Sequence, residues 1–248
     1  MMKRITTACF IFIALSSSVI AQDMLKIAED KDSKRDTKEC KIQSLEGKGQ
    51  TIHIMPDYYN NVLKISCLKD TIVVNAAPTE IHIIDRKFAM ISYDVRGGSN
   101  LGLGNLLLLC VSQNKLFEAM HVLKYVNSET GDEKETYNLK AVLFSTHKKA
   151  YQLNVDIADK AWWRYHPEMD YKYYNRSVLN FDVKRKVFYS LKEDIYDGFV
   201  VTDAPKGKSH KQKLAGNYPV IILGKEDYYF INGEWCEKDD NNEYAVFR

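Results

Sequence analysis

The amino-acid sequence predicts an all-β protein built from repeated hairpins. Apolar and polar residues alternate in several segments, most regularly in YQLNVDI (151–157) and MISYDV (90–95), and this period of two is typical of strands that bury one face. Four longer segments share a pattern of apolar strand, polar turn and apolar strand. Their turn centres, 34 to 41 residues apart, are Asn114, Lys148, Arg185 and Glu226.

The repeat leaves two architectures open for the span 40–248, which we predict to be a single β-rich domain. The spacing is close to the ~40–45 residues of a four-stranded propeller blade, so the span would hold four or five blades. No residue recurs at a fixed place in each repeat, however. A β-sandwich or an open barrel made of hairpins therefore fits almost as well.

Local composition predicts the individual strands and turns. Two early hairpins, VLKISCLKDTIVVN and IHIIDRKFAMISY, turn near Lys69 and Arg86. The segment 115–126 contains good helix formers, but its apolar residues also alternate, and the hairpins around it favour a strand. The dipeptide Asn232-Gly233 is favoured in a tight two-residue hairpin turn.

Residues 1–21 have the three parts of a secretory signal peptide. Lys3 and Arg4 form a short positive region, residues 8–15 are apolar, and small or branched residues precede a cut after Ala21. The apolar run is far shorter than the ~20 residues that span a bilayer. We therefore expect an exported protein, periplasmic or extracellular, with no transmembrane segment once the signal is removed.

Charge is balanced in the chain that remains after this cleavage. Residues 22–39 are rich in charge, and we expect them to form a flexible leader. The whole sequence has 35 Lys and Arg against 33 Asp and Glu, and the signal carries two of the basic residues and no acid, so 33 of each remain. A net charge of zero gives no general attraction to nucleic acid, and no nucleic-acid partner is predicted.

Four cysteines follow the signal: Cys40, Cys67, Cys110 and Cys236. An even number in an exported protein permits two disulfides, with three alternative pairings. We expect at least one disulfide, and we favour Cys40 with Cys67 because both lie near predicted neighbouring strands. Cys110 lies in an apolar run, as a buried thiol would.

Motifs for common catalytic chemistry are missing. The glycine-rich segment 96–105 lacks the G-x-G-x-x-G spacing and precedes an apolar strand, so we interpret it as a wide turn. Gly207-Lys208-Ser209 resembles the end of a P-loop, but Thr202 stands where the companion glycine is needed. The sequence has neither a G-x-S-x-G nor an H-E-x-x-H motif. No cofactor and no metal site are predicted.

The densest aromatic patch of the sequence is AWWRYHPEMDYKYYNR at 161–176. Its proline and charges indicate a loop between strands, which would place the aromatic residues near the edge of a sheet. There they could pack in the core or bind a ligand, and we expect Trp162 in the core and Trp163 at a ligand. The candidate ligand-binding residues are Trp162, Trp163, Arg164, Tyr165, Tyr171, Tyr173, Tyr174 and Arg176.

The predicted function is that of an exported, non-catalytic binding module for a glycan or a protein partner. The alternative is a glycan-directed hydrolase that uses a pair of carboxylates, because acidic residues are abundant and such a pair has no fixed spacing in sequence. The sequence favours the binding module, since the catalytic motifs are missing, and it assigns no catalytic residue.

Overall fold

The structure of the protein is a computed structural model. The predicted signal peptide and most of the predicted leader lie outside the residues it describes, as do the turn centres expected at Lys148 and Glu226. The described residues are 37–57, 60–75, 77–95, 100–145, 150–204, 208–223, 227–238 and 243–246.

Nearly all regular structure in the described residues is β-strand, which confirms the all-β prediction. One turn of 3-10 helix, Pro167–Met169, separates two strands, and no helix in the described ranges is long and apolar enough to cross a membrane. The strands are β1 (Lys38–Gln43), β2 (Gly49–Asp57), β3 (Val62–Cys67), β4 (Asp70–Asn75), β5 (Ala77–Ile84), β6 (Phe88–Val95), β7 (Leu101–Ser112), β8 (Lys115–Thr130), β9 (Glu133–Ser145), β10 (Tyr151–Trp163), β11 (Tyr171–Asp182), β12 (Val187–Tyr189), β13 (Leu191–Ala204), β14 (Lys208–Ile222), β15 (Asp227–Ile231), β16 (Glu234–Lys238) and β17 (Glu243–Val246).

The strands form three sheets, and in each sheet the chain runs from one strand to its neighbour. The first sheet contains β1 to β4, and the second contains β5 to β12 in sequence order. In the third sheet, β17 pairs with β16 and also, in parallel, with β13, so the five strands close into a ring.

The repeated hairpins therefore do not form propeller blades in the described part of the chain. Four-stranded blades would need a break after every fourth strand, whereas β5 to β12 pair without a break into one sheet of eight strands. Antiparallel sheets packed face to face are compatible with the sandwich or open-barrel alternative.

Local turn chemistry explains why the hairpins form where they do. Tight hairpin turns need residues with positive φ, which asparagine, aspartate and glycine adopt most readily. Gln113 and Asn114 have φ of 50° and 64° between β7 and β8, and Asn232 and Gly233 have 53° and 93° between β15 and β16. The turns predicted near these residues are confirmed, as is the strand expected over 115–126, which is part of β8.

Two hydrophobic clusters lie on opposite faces of the second sheet. On one face, Ile91 and Leu107 pack with residues of the first sheet such as Ile54 and Ile65. The other face carries the larger cluster, which includes residues of β6 to β12 together with Trp235 of the third sheet. We call this second face the inner face.

The second sheet curls around its inner face. The ring of Phe88 on β6 lies 5.0 Å from Tyr151 on β10 and 5.3 Å from Phe181 on β11, both in edge-to-face geometry. Phe188 on β12 is also near, at 5.5 Å. Strands four to six places apart in the sheet therefore meet across the core.

The predicted disulfide between Cys40 and Cys67 is wrong: the four cysteines among the described residues are all buried free thiols. Cys40 on β1 lies opposite Ile52 on β2, and β2 separates β1 from β3, which ends at Cys67. Two strand spacings amount to roughly 10 Å, whereas a disulfide needs Cα atoms within about 7 Å. The two strands are in one sheet, as expected, but they are not neighbours.

Candidate functional site

The aromatic patch occupies the end of the β10–β11 hairpin. Trp162 and Trp163 are the last residues of β10, and Tyr171 is the first of β11. The connecting loop is tied down at both ends: the Trp163 amide donates to Asp170 Oδ1 at 2.9 Å, and the Arg164 amide donates to the Asp132 carbonyl at 2.8 Å. The loop is thereby attached to the neighbouring β8–β9 turn.

Most of the aromatic side chains in the patch are exposed. Trp162 is 47% exposed, so its expected place in the core is wrong, while Trp163 is half-buried. Tyr165 and Tyr174 are 66% and 64% exposed. Large apolar surfaces concentrated in this way on a monomer mark interaction sites more often than isolated exposed residues do.

The register of the strands divides the predicted residues between two faces. Ala161 is buried and lies opposite Tyr171, so Trp163, Tyr171 and Tyr173 share the inner face. By the same alternation, Trp162, Tyr174 and Arg176 lie on the outer face. Arg164 and Tyr165 belong to the loop, where the guanidinium lies 5.6 Å from the tyrosine ring centre. The residues of the aromatic patch therefore contribute to two separate surfaces, one on each face of the hairpin.

On the inner face, cross-strand pairing extends this surface over five strands. One row runs from Leu101 through Ser128, Glu135 and Ala161 to Tyr171, each paired with the next. We call Ser128, Glu135, Trp163, Tyr171 and Tyr173 the inner rim.

A second row lies one step deeper on the same face. It runs from Leu103 through Val126, Tyr137 and Asp159 to Tyr173. Asp159 is only 5% exposed and Tyr137 only 1%. The other members of this row are apolar or aromatic, and a buried charge among them needs polar partners.

Tyr171 connects the two rows. Its hydroxyl donates to Asp159 Oδ2 at 3.1 Å, and its ring centre lies 6.0 Å from that of Trp163 at an interplanar angle of 43°. Burial, followed by the charges of Asp159 and Glu135, raises the pKa of Tyr171 far above its usual range. The phenol therefore stays protonated and remains a hydrogen-bond donor to Asp159.

An open cleft of about 640 Å³ adjoins the inner rim across the ends of β7, β8 and β9. Its polar lining includes Asn100, Asn127, Ser128, Glu135 and Thr136. Glu135 belongs both to the cleft and to the row that ends at Tyr171. By strand alternation, Asn127 and Thr136 lie on the face opposite to Ser128 and Glu135, so the lining comes from both faces of the sheet and only Ser128 and Glu135 belong to the inner rim.

The outer face has a different character. Lys160 Nζ lies 5.6 Å from the centre of the Tyr174 ring, and Arg176 Nε donates to Asp156 Oδ1 at 2.6 Å. The cation–π contact and the ion pair are both exposed, and such an exposed ion pair contributes little to stability. Further along the same face, Val142 and Val178 are also exposed.

A second set of hydrogen-bonded polar side chains lies in the core. The Tyr93 hydroxyl and His121 Nε2 share a hydrogen bond of 2.5 Å, and His121 Nδ1 lies 3.2 Å from Glu118 Oε2. Burial raises the pKa of Tyr93 well above its usual range. Tyr93 and His121 are both fully buried, so they have no surface at which a substrate could contact them.

Sequence reasoning missed Glu135, Asp159 and Ser128. Asp159 lies two residues after Ile157 in β10 and therefore shares its face, but nothing in the sequence shows that its partners are Tyr137 and Tyr171. Among the residues that the structure describes, no three His, Cys, Asp or Glu side chains are grouped as a metal site. No protein-family model, no curated protein and no solved structure matches the chain.

Proposed function

We propose that the protein is an exported binding module that recognises a glycan or a protein partner through the aromatic end of the β10–β11 hairpin. The observation that carries the proposal is the exposure of aromatic side chains at this one place, including Trp162, Tyr165 and Tyr174. In this proposal the second sheet is an open barrel, and its inner rim and outer face offer two adjacent surfaces for binding.

The chemistry of the patch supports binding. Tryptophan, tyrosine and arginine are the residues that most often dominate binding energy at interfaces. Trp163 and Tyr171 are held in place, the first by its backbone bond to Asp170 and the second by its hydroxyl bond to Asp159. Rings that are already ordered lose less conformational entropy when a ligand binds.

Glu135 and Asp159 support the alternative, a glycan-directed hydrolase. They lie on the same face of neighbouring strands, diagonal to each other, since Glu135 pairs with Ala161 and Asp159 with Tyr137. A diagonal pair brings two side chains within several ångströms, as acid-pair hydrolysis requires. Asp159 is almost fully buried, however, and its Oδ2 already accepts a bond from Tyr171, which favours a role in positioning that ring.

Photo-crosslinking tests the binding module. Benzoyl-phenylalanine placed at Tyr165 of the exported chain should form a crosslink to a glycan or protein when the producing cells are irradiated. The same group at Lys115, which is exposed at the opposite end of β8, is the matched control. A crosslink at both positions, or at neither, contradicts the proposal.

A hydrolysis assay separates the two functions. The purified chain should migrate more slowly in gels that contain a bound polysaccharide, and it should release no reducing ends from that polysaccharide. Release that is abolished by Glu135→Gln and by Asp159→Asn would favour the hydrolase instead.

A further inference from the structure

The inner rim combines ring surfaces with polar groups on the face around which the second sheet curls. Two of its polar residues, Ser128 and Glu135, also line the open cleft. Tyr171 and Tyr173 are 38% and 40% exposed, so their rings are accessible. The outer face of the same hairpin also has exposed rings, but it is the convex side of the curled sheet.

The rings of the inner rim offer an extended apolar contact. Trp163 and Tyr171 lie 6.0 Å apart and are tilted by 43°, so together they form a shallow angle rather than a closed stack. A planar, C–H-lined face of a sugar ring fits against such rings, because the negative face of the π-system attracts C–H hydrogens.

Polar groups lie where the hydroxyls of such a sugar would point. Ser128 and Glu135 continue the row that ends at Tyr171. A hydroxyl side chain both donates and accepts hydrogen bonds, and a carboxylate accepts only. This mixture suits a ligand that carries many hydroxyl groups, each able to donate and to accept.

The charges restrict the ligand further. The acids Glu135 and Asp159 lie on the inner face, and the lysine that lines the cleft, Lys134, is 3.1 Å from Glu129 in an ion pair. A uronic acid or sulfated sugar would bring its negative charge close to two carboxylates, which is unfavourable.

We propose that the inner rim binds an uncharged oligosaccharide, with one sugar ring packed on Trp163 and Tyr171 and its hydroxyls bonded to Glu135 and Ser128. This inference rests on the proposed binding function and deepens it, since it selects the glycan over the protein partner and the inner face over the outer. Asp159 is a positioning residue that orients the Tyr171 ring.

Titration calorimetry on the exported chain tests the inference. The probes are three uncharged oligosaccharides, cellohexaose, maltohexaose and chitohexaose, with hexagalacturonate as the acidic comparison. At least one uncharged probe should bind with a Kd below about 1 mM, at least tenfold tighter than hexagalacturonate. Trp163→Ala and Glu135→Gln should each weaken that binding about tenfold, whereas Trp163→Phe, which keeps a ring, should weaken it less.

The matched control is Phe144→Ala, which removes an exposed ring at the far end of β9 and should leave saccharide affinity unchanged. A thermal melt of each variant shows that the fold is intact. The inference is overturned if no uncharged probe binds with a Kd below about 1 mM, if hexagalacturonate binds as tightly, or if Phe144→Ala weakens binding as much as Trp163→Ala. A crosslink at Tyr165 without saccharide binding would contradict this inference and would still support the proposed binding module.

Discussion

Replacing Gly104 with alanine should destabilise the protein through a collision with Tyr125. Gly104 on β7 lies opposite Tyr125 on β8, and the tyrosine ring covers the glycine backbone. An added Cβ would lie 2.6 Å from ring atom Cδ1 and 2.7 Å from Cζ, well inside van der Waals contact. The ring must therefore move away.

The cost of this movement has two parts. Overpacking typically costs ~1–3 kcal/mol. The Tyr125 hydroxyl also donates to Asp94 Oδ1 at 2.6 Å, and losing a hydrogen bond to a charged group costs ~1.5–3 kcal/mol. If the ring cannot keep this bond while it moves, we expect Gly104→Ala to lower the free energy of unfolding by about 2.5–6 kcal/mol.

Urea denaturation followed by circular dichroism measures the effect. Gly131→Ala is the matched control, because its Cβ would meet nothing within 4 Å. A double-mutant cycle adds the decisive comparison: once Tyr125 is replaced by alanine, Gly104→Ala should cost less than about 1 kcal/mol. An unfolding free energy for Gly104→Ala within ~0.5 kcal/mol of the wild type would refute the proposed collision.

Four further outcomes are expected. Trp162→Ala, on an exposed ring, should change the unfolding free energy by less than about 1 kcal/mol, whereas Trp235→Ala, which empties a buried site, should cost ~3–5 kcal/mol in the same denaturation experiment; equal losses would contradict the assigned positions. The bond from the Ser112 hydroxyl lowers the pKa of Glu46 to about 2 from 4.5, so its stabilisation is complete above pH 4.5 and is lost as the pH falls towards 2; acid titrations of Glu46→Gln should lack that loss, and an unchanged profile would count against it. Thiol titration in denaturant without reductant should find four free thiols in the exported chain, whereas a count of two would show that one disulfide forms. Intact-mass measurement of the exported chain should place its first residue at Gln22, and a chain that retains Met1 would disprove the signal peptide.

Local patterns predicted much of the fold because they act over a few residues. Alternation identified β10, and the turn dipeptide Asn232-Gly233 has the positive φ values that it was expected to have. The hairpin pattern also gave the correct strand over 115–126, where helix propensity alone would have misled.

Arrangements that depend on distant strands were not predictable in the same way. Whether eight strands divide into blades or continue as one sheet depends on pairing between hairpins, and turn spacing does not report on it. The Cys40–Cys67 prediction failed for the same reason, because β1 and β3 belong to one sheet but β2 lies between them. Trp162 and Trp163 show the limit at the site, since alternation puts them on opposite faces but does not say which face is covered.

The two clusters on opposite faces of the second sheet have a consequence for how the protein unfolds. The first sheet has no separate core, because its buried side chains share one cluster with β6 and β7. Detachment of the first sheet would expose Leu107 and Leu109 to solvent, and both lie in the longest aliphatic run of the chain. Detachment of the first sheet would thus create an aggregation-prone, partly unfolded intermediate. Because β6 and β7 are covered on both faces, their amide protons should be among the last to exchange with solvent.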